Sequence, residues 1–121
     1  LRIAKEDDMT TYAVVIRPGQ EPKLEPFPCT DEVGDELRKL IGCEMLEMLP
    51  IAGNIDAWFD EEGRIYRKEP NRLIPIPGRG QFDVLGTIVL AWSREGDTLG
   101  MDESGAVAWA HIASAWPKLV P

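Results

Sequence analysis

Histidine occurs once in this chain, at His111, and cysteine twice, at Cys29 and Cys43. A single imidazole gives a histidine-based metal cluster or a Ser-His-Asp triad nothing to build on beyond one ring. The two cysteines show no CxxC spacing, which removes zinc ribbons and dithiol redox motifs; a disulfide between them stays open but nothing indicates it. No apolar run approaches the ~18–20 residues needed to cross a bilayer. The opening "LRIAKEDDMTT" also lacks the apolar centre of a signal peptide, so the chain reads as cytoplasmic. Because it starts at Leu1 and its first methionine is Met9, residues 1–11 read as an extension or a disordered N-terminus. Internal repeats and low-complexity tracts are missing. The "GRG" at 78–80 lacks the GK[ST] ending of a Walker loop and does not fit GxGxxG.

What is present suits one globular domain: 121 residues, 44% hydrophobic and 28% charged, with four Trp, three Phe and two Tyr as bulky core material. A net charge of −8 argues against gripping duplex nucleic acid over a broad basic face. The charge is unevenly placed. "RIYRKEPNRLIPIPGR", residues 64–79, holds Arg64, Arg67, Lys68, Arg72 and Arg79 beside one acid, Glu69, and so carries a local excess of positive charge on an acidic chain.

Hydrophobic periodicity sets the expected elements. "YAVVIR" (12–17) is apolar on both alternating faces, as an interior strand requires, and ends at Pro18-Gly19. The prolines of "QEPKLEPFP" confine that stretch to a loop or an edge strand. A helix is expected from about 31 to 42, capped by Thr30 or Asp31, stopped by Gly42, and striped with Val33, Leu37, Leu40 and Ile41. "EMLEMLPI" (44–51) reads as a strand. Ile55, Ala57 and Phe59 alternate with Asp56, Trp58 and Asp60, which predicts an inward apolar face and an outward face of acids and a partly exposed Trp. Asp60-Glu61-Glu62-Gly63 then reads as a hairpin turn with "RIYRK" returning as a strand, and the proline-rich 69–81 as a shaped loop. "DVLGTIVLAWSR" (83–94) is the best central strand, with Gly86 marking a bulge or a close approach. A turn at Glu95-Gly96-Asp97 leads to a short strand, "TLGM", and Asp102 opens a helix to about 116 that is too apolar to stand in solvent. Pro117 ends it and 118–121 reads as a tail.

Two readings of the basic segment compete. As a binding surface, Arg64, Tyr66 and Lys68 project to one side of a strand and Ile65 and Arg67 to the other, with Asn71, Arg72 and Arg79 in the following loop. Arginine forks and the glycine N–H groups then suit a phosphate or carboxylate, and Tyr66 or Trp58 can stack a base. As plain structure, the same cations blunt an edge strand and pair with Glu61, Glu62 and Glu69. The ligand-binding candidates are therefore Arg64, Tyr66, Arg67, Lys68, Asn71, Arg72, Arg79 and Trp58. Asp60, Glu61 and Glu62 suggest a metal or acid/base site, against the plainer reading of solvated acids on a turn. No catalytic set, metal site or cofactor is called for, and His111 reads as structural or exposed.

The succession "VVIRPG", "LRKLIG", "EMLEMLP", "DEEG", "PNRL" and "GTIVLAWSREGD" resembles the domain of unknown function 3846 family over roughly residues 12–101. Its most specific parts are the turn Asp60 to Gly63, the Asn71-Arg72 pair after Pro70, and the strand from Gly86 to Leu90. The resemblance implies a small accessory protein of phages, plasmids and other mobile elements, with no assigned activity. The expected fold is α+β: one domain over 12–117, a mostly antiparallel sheet of four to six strands and two helices, or alternatively a partly closed barrel. The expected function is non-enzymatic binding of a host or mobile-element protein through protein contacts. The alternatives are sequestration of a nucleotide-like anion by residues 64–79 and, third, a metal-dependent enzyme using the acidic turn. A homodimer through the last helix is also expected.

Overall fold

A computed structural model of the chain describes residues 10–27 and 32–120. The elements, in chain order, are β1 (Tyr12–Ile16), β2 (Lys23–Pro26), α1 (Val33–Ile41), β3 (Leu46–Ala52), β4 (Ile55–Asp60), β5 (Pro70–Ile76), β6 (Gly80–Leu85), β7 (Ile88–Arg94), β8 (Asp97–Leu99) and α2 (Glu103–Ser114). Every strand pair is antiparallel. The main sheet runs β2-β1-β7-β4-β3, with β8 continuing beside the far end of β7, and β5-β6 form a separate ribbon. This is the expected α+β architecture, with an open sheet in place of a barrel.

Strand alternation sorts the core into two layers. Val14, Ile16, Ile55, Ala57, Phe59, Ile88 and Leu90 point to one face, where Ile74, Ile76 and Val84 of the ribbon and Ala106, Ala113 and Trp116 of α2 and its exit cover them. Ala13, Val15, Val89 and Ala91 point to the other, beneath Leu37 and Ile41 of α1. The apolar last helix thus finds its support on the sheet. Asp102 caps it, accepting from the Gly105 N–H at 2.8 Å. Gly42, at φ 75°, closes α1 in the left-handed conformation. The expected caps Thr30 and Asp31, together with Cys29, residues 1–9 and Pro121, lie outside the described residues; Cys43 is a free thiol.

Four expectations need correction. Residues 61–67 form turns, and "RIYRK" does not return beside β4, because β3 and β7 already occupy both edges of that strand. The 69–81 stretch is the β5-β6 hairpin: a two-stranded ribbon leaves half of each strand's N–H groups facing away from the partner, where Pro70 and Pro75 fit. The long strand over 83–94 is two strands broken at Gly86, whose φ of 86° ends β6 and redirects the chain into the main sheet. Finally, the tail is docked as far as Leu119, with Leu73 N–H donating to Pro117 O at 2.9 Å and Leu119 N–H to Asn71 O at 3.0 Å.

The acidic face of β4 is also not outward. Asp56 and Asp60 are 7% and 5% exposed, on the side of the sheet that carries α1. Burial raises the Asp56 pKa above the ordinary carboxyl value, opposed by a hydrogen bond from Ser93. A carboxyl that holds its proton more tightly when folded contributes most stability below its unfolded pKa of roughly 3.9, and loses it as pH rises through the higher folded value. Asp56→Asn should therefore gain stability relative to wild type between pH 4 and pH 7 in urea unfolding; a difference that stays constant over that range contradicts the assignment.

Candidate functional site

The residues singled out by sequence divide into those that hold the fold together and those left at the surface. Arg72 falls on the inward side of β5 with Ile74 and Ile76 and is fully buried. Its Nη1 donates to Asn71 Oδ1 at 2.9 Å and its Nη2 to Gln20 O at 2.6 Å, while among the described residues Nε has no partner. Burial lowers its pKa from the ordinary arginine value, and the charge of Glu21 works the other way. Asn71, 1% exposed, donates through Nδ2 to Ile16 O at 2.8 Å and Gly86 O at 2.7 Å. One carboxamide therefore ties the end of β1, the β6-β7 crossing and the start of the ribbon together. Neither side chain is available to a visitor, which corrects their placement in a binding loop.

Lys68 is spent in a second internal tie. Its Nζ lies 2.8 Å from Asp60 Oδ2, and donates to Gly42 O at 2.9 Å and Ile41 O at 3.3 Å, the carbonyls that α1 leaves open at its C-terminus. The Lys68 stem passes so close to Gly86 that a Cβ there would stand 2.9 Å from Lys68 Cδ. Asp60 Oδ1 accepts from Glu62 N–H at 2.8 Å, so the acid on which a metal reading would rest is engaged on both oxygens. Among the described residues no group of three or more His, Cys, Asp or Glu gathers in a metal-binding arrangement.

Arg64 reaches Asp83 Oδ2 at 2.7 Å, an exposed pair that lowers the Asp83 pKa through the hydrogen bond. Trp58 packs into the α1-side core, and its buried Nε1 has no hydrogen-bond partner among the described residues. It borders a cleft of about 470 Å³ beside Val33, Leu37 and Met45, whereas Tyr66 borders a different one of about 390 Å³ beside Cys43, Met45 and Lys68. The two aromatics do not form one stacking platform. Burial also pushes the Cys43 thiol up, so it is not a poised nucleophile.

That leaves Ile65, Tyr66, Arg67 and Arg79 exposed. Arg67 and Arg79 have no ion-pair partner among the described residues. They do not share a site: Arg79 turns the far end of the hairpin, and the seven residues of β5 put about 20 Å between the two ends at ~3.3 Å per residue. Arg67 instead closes the loop that begins at Asp60. Tyr66 N–H bonds to Glu62 O, Arg67 N–H to Arg64 O and Lys68 N–H to Gly63 O, at 3.1, 3.2 and 2.9 Å. The last two are the nested pair of a Schellman closure, with Arg67 at φ 55° in the position that glycine normally takes. Ile65 at 72% and Tyr66 at 67% exposure are carried at the tip of this closed turn. Ile65 was not among the sequence candidates; its apolar side chain in a segment read as a strand gave no sign that it would stand in solvent.

A small antiparallel α+β protein, with a helix on each side of its main sheet and an exposed, hydrogen-bonded turn between β4 and β5, is the class these features define. The chain belongs to the family described as domain of unknown function 3846, whose sequence profile matches residues 9–109. Comparison with curated proteins and with solved structures gives no significant match. Among the described residues no helix is long and apolar enough to cross a membrane.

Two substitutions test the internal ties. Asn71→Ala removes the side-chain partner of two carbonyls and one guanidinium donor and should cost at least about 3 kcal/mol in urea unfolding, since each such orphan costs ~1–3 kcal/mol; a loss below about 0.5 kcal/mol contradicts the tie. Lys68→Met strands the Asp60 carboxylate and should cost about 3–5 kcal/mol. Its cost should shrink once Asp60 is Asn, and equal costs in both backgrounds would refute the coupling.

Proposed function

We propose that this protein is a non-enzymatic binding protein, an accessory factor of a phage or other mobile element, that engages a protein partner with the Ile65-Tyr66-Arg67 tip. The observation that carries the reading is Arg67 at positive φ where glycine would cost less. A left-handed non-glycine residue costs roughly 1 kcal/mol or more. The other such residue among the described ones, Glu95, sits with Gly96 in the tight β7-β8 turn, a place that demands that geometry. At position 67 the fold needs the backbone shape and makes no use of the side chain, which is unpaired among the described residues. Strain kept at an exposed position supports a functional side chain there.

The composition of the tip agrees. Tyr and Arg dominate protein-binding hot spots, and a turn closed by its own hydrogen bonds loses little conformational entropy on docking. The anion-binding alternative has less support, because Arg72 is buried, Lys68 and Arg64 are paired, and the two unpaired arginines stand at opposite ends of the ribbon.

Arg67→Gly separates binding from folding. It should hold or raise the melting temperature by relieving the backbone, and, combined with Tyr66→Ala, abolish partner capture. A photoreactive residue at position 65 in cells carrying the protein should yield one discrete protein adduct that these substitutions remove, while the same residue at position 39 on α1 yields none. Matching adduct patterns from both positions, or a melting temperature raised by a nucleotide panel, would contradict the proposal.

A further inference from the structure

A second exposed surface lies away from the tip. Ile51 and Ala52 at the end of β3, Pro75 to Pro77 and Gly80 of the hairpin, and Trp109, Ile112 and Trp116 of α2 and its exit enclose an open groove of about 660 Å³. Trp109, Ile112 and Trp116 recur at helical spacing, so one stripe of α2 forms a whole wall. Ile112 is 45% exposed. Outside the groove, α2 and its C-terminal cap present Ala108 and Ala115, small enough for another helix to approach closely.

Charge decides what fits there. The chain holds twenty-one acids and a net charge of −8, yet no Asp or Glu lines the groove, and the ionisable side chains within the two longer stretches that line it, 75–81 and 109–116, are Arg79 and His111. Two copies meeting through most other faces would bring carboxylates against carboxylates. Through this face they bring none. A cationic partner would be drawn to the acidic remainder of the surface instead.

We infer that this acid-free face is a self-association surface, on which a second copy of the chain packs about a two-fold axis with the α2 stripes of both copies in contact. The inference is independent of the tip, which belongs to a different part of the fold.

Sedimentation equilibrium across the micromolar range should give a mass twice the 13.5 kDa of the chain. The dimer should persist as salt is raised, because its contacts are apolar and not ionic. Ile112→Glu on one wall and Pro77→Glu on the other should each return the monomer mass with the circular dichroism spectrum unchanged, and Lys39→Glu on α1 should leave the dimer intact. A wild-type monomer throughout the range overturns the inference. So does a dimer that survives both groove substitutions, or one that dissociates as salt is raised.

Discussion

A single buried carboxamide holds the two sheets of this protein in register. Asn71 donates to one carbonyl at the end of β1 and to another at Gly86, and its own oxygen receives the guanidinium of Arg72, which reaches on to Gln20. Apolar contacts between packed faces are not directional and do not by themselves set the register of the ribbon. Hydrogen bonds are, and leaving them unmade in a dry interior is expensive. With no carboxylate among the described residues hydrogen-bonded to it, Arg72 is an interior cation solvated by neutral oxygens, an arrangement that tolerates little movement of the groups around it.

The Asp60-Lys68 tie does the same for the crossing between β4 and the ribbon. It fastens the start and the end of the intervening turn to each other and to the last carbonyls of α1. Lys68 and Arg72 are therefore used inside the molecule, Arg64 is paired at the surface, and the two remaining arginines of 64–79 lie far apart, so the electrostatic asymmetry of the sequence does not become a basic patch. What the ties produce is mechanical: both ends of the 61–67 turn are fixed, so its tip is held away from the body in one geometry.

The main sheet was legible because its strands alternate cleanly and lie between breakers: Val14 and Val15 on opposite faces, Pro18-Gly19 after them, Glu95-Gly96 after β7. The left-handed stop at Gly42 and the cap at Asp102 were legible from local chemistry alone. The ribbon was not, because prolines at 70, 75 and 77 suggest a loop unless one knows that the strand has only one partner. Reading it as a loop hid the alternation of Arg72 with Ile74 and Ile76, which marks the arginine as an inward residue. The supposed strand over 64–68 failed for a non-local reason, since nothing within it reveals that both edges of β4 are taken. Ion pairs that join positions far apart in the chain, such as Arg64 with Asp83, leave no local trace either.

The division of labour within 60–72, with anchoring charges inside and a recognition tip outside, is most directly examined at the Arg72 guanidinium. Nitrogen-resolved NMR of arginine side chains measures how fast the Nε–H of each exchanges with water. Arg72 should exchange far more slowly than Arg79, and its signal should not move when phosphate or nucleotides are added. Equal exchange at the two positions, or an Arg72 signal that shifts with added anion, would mean that this cation faces solvent and would return the segment to the role of a binding site.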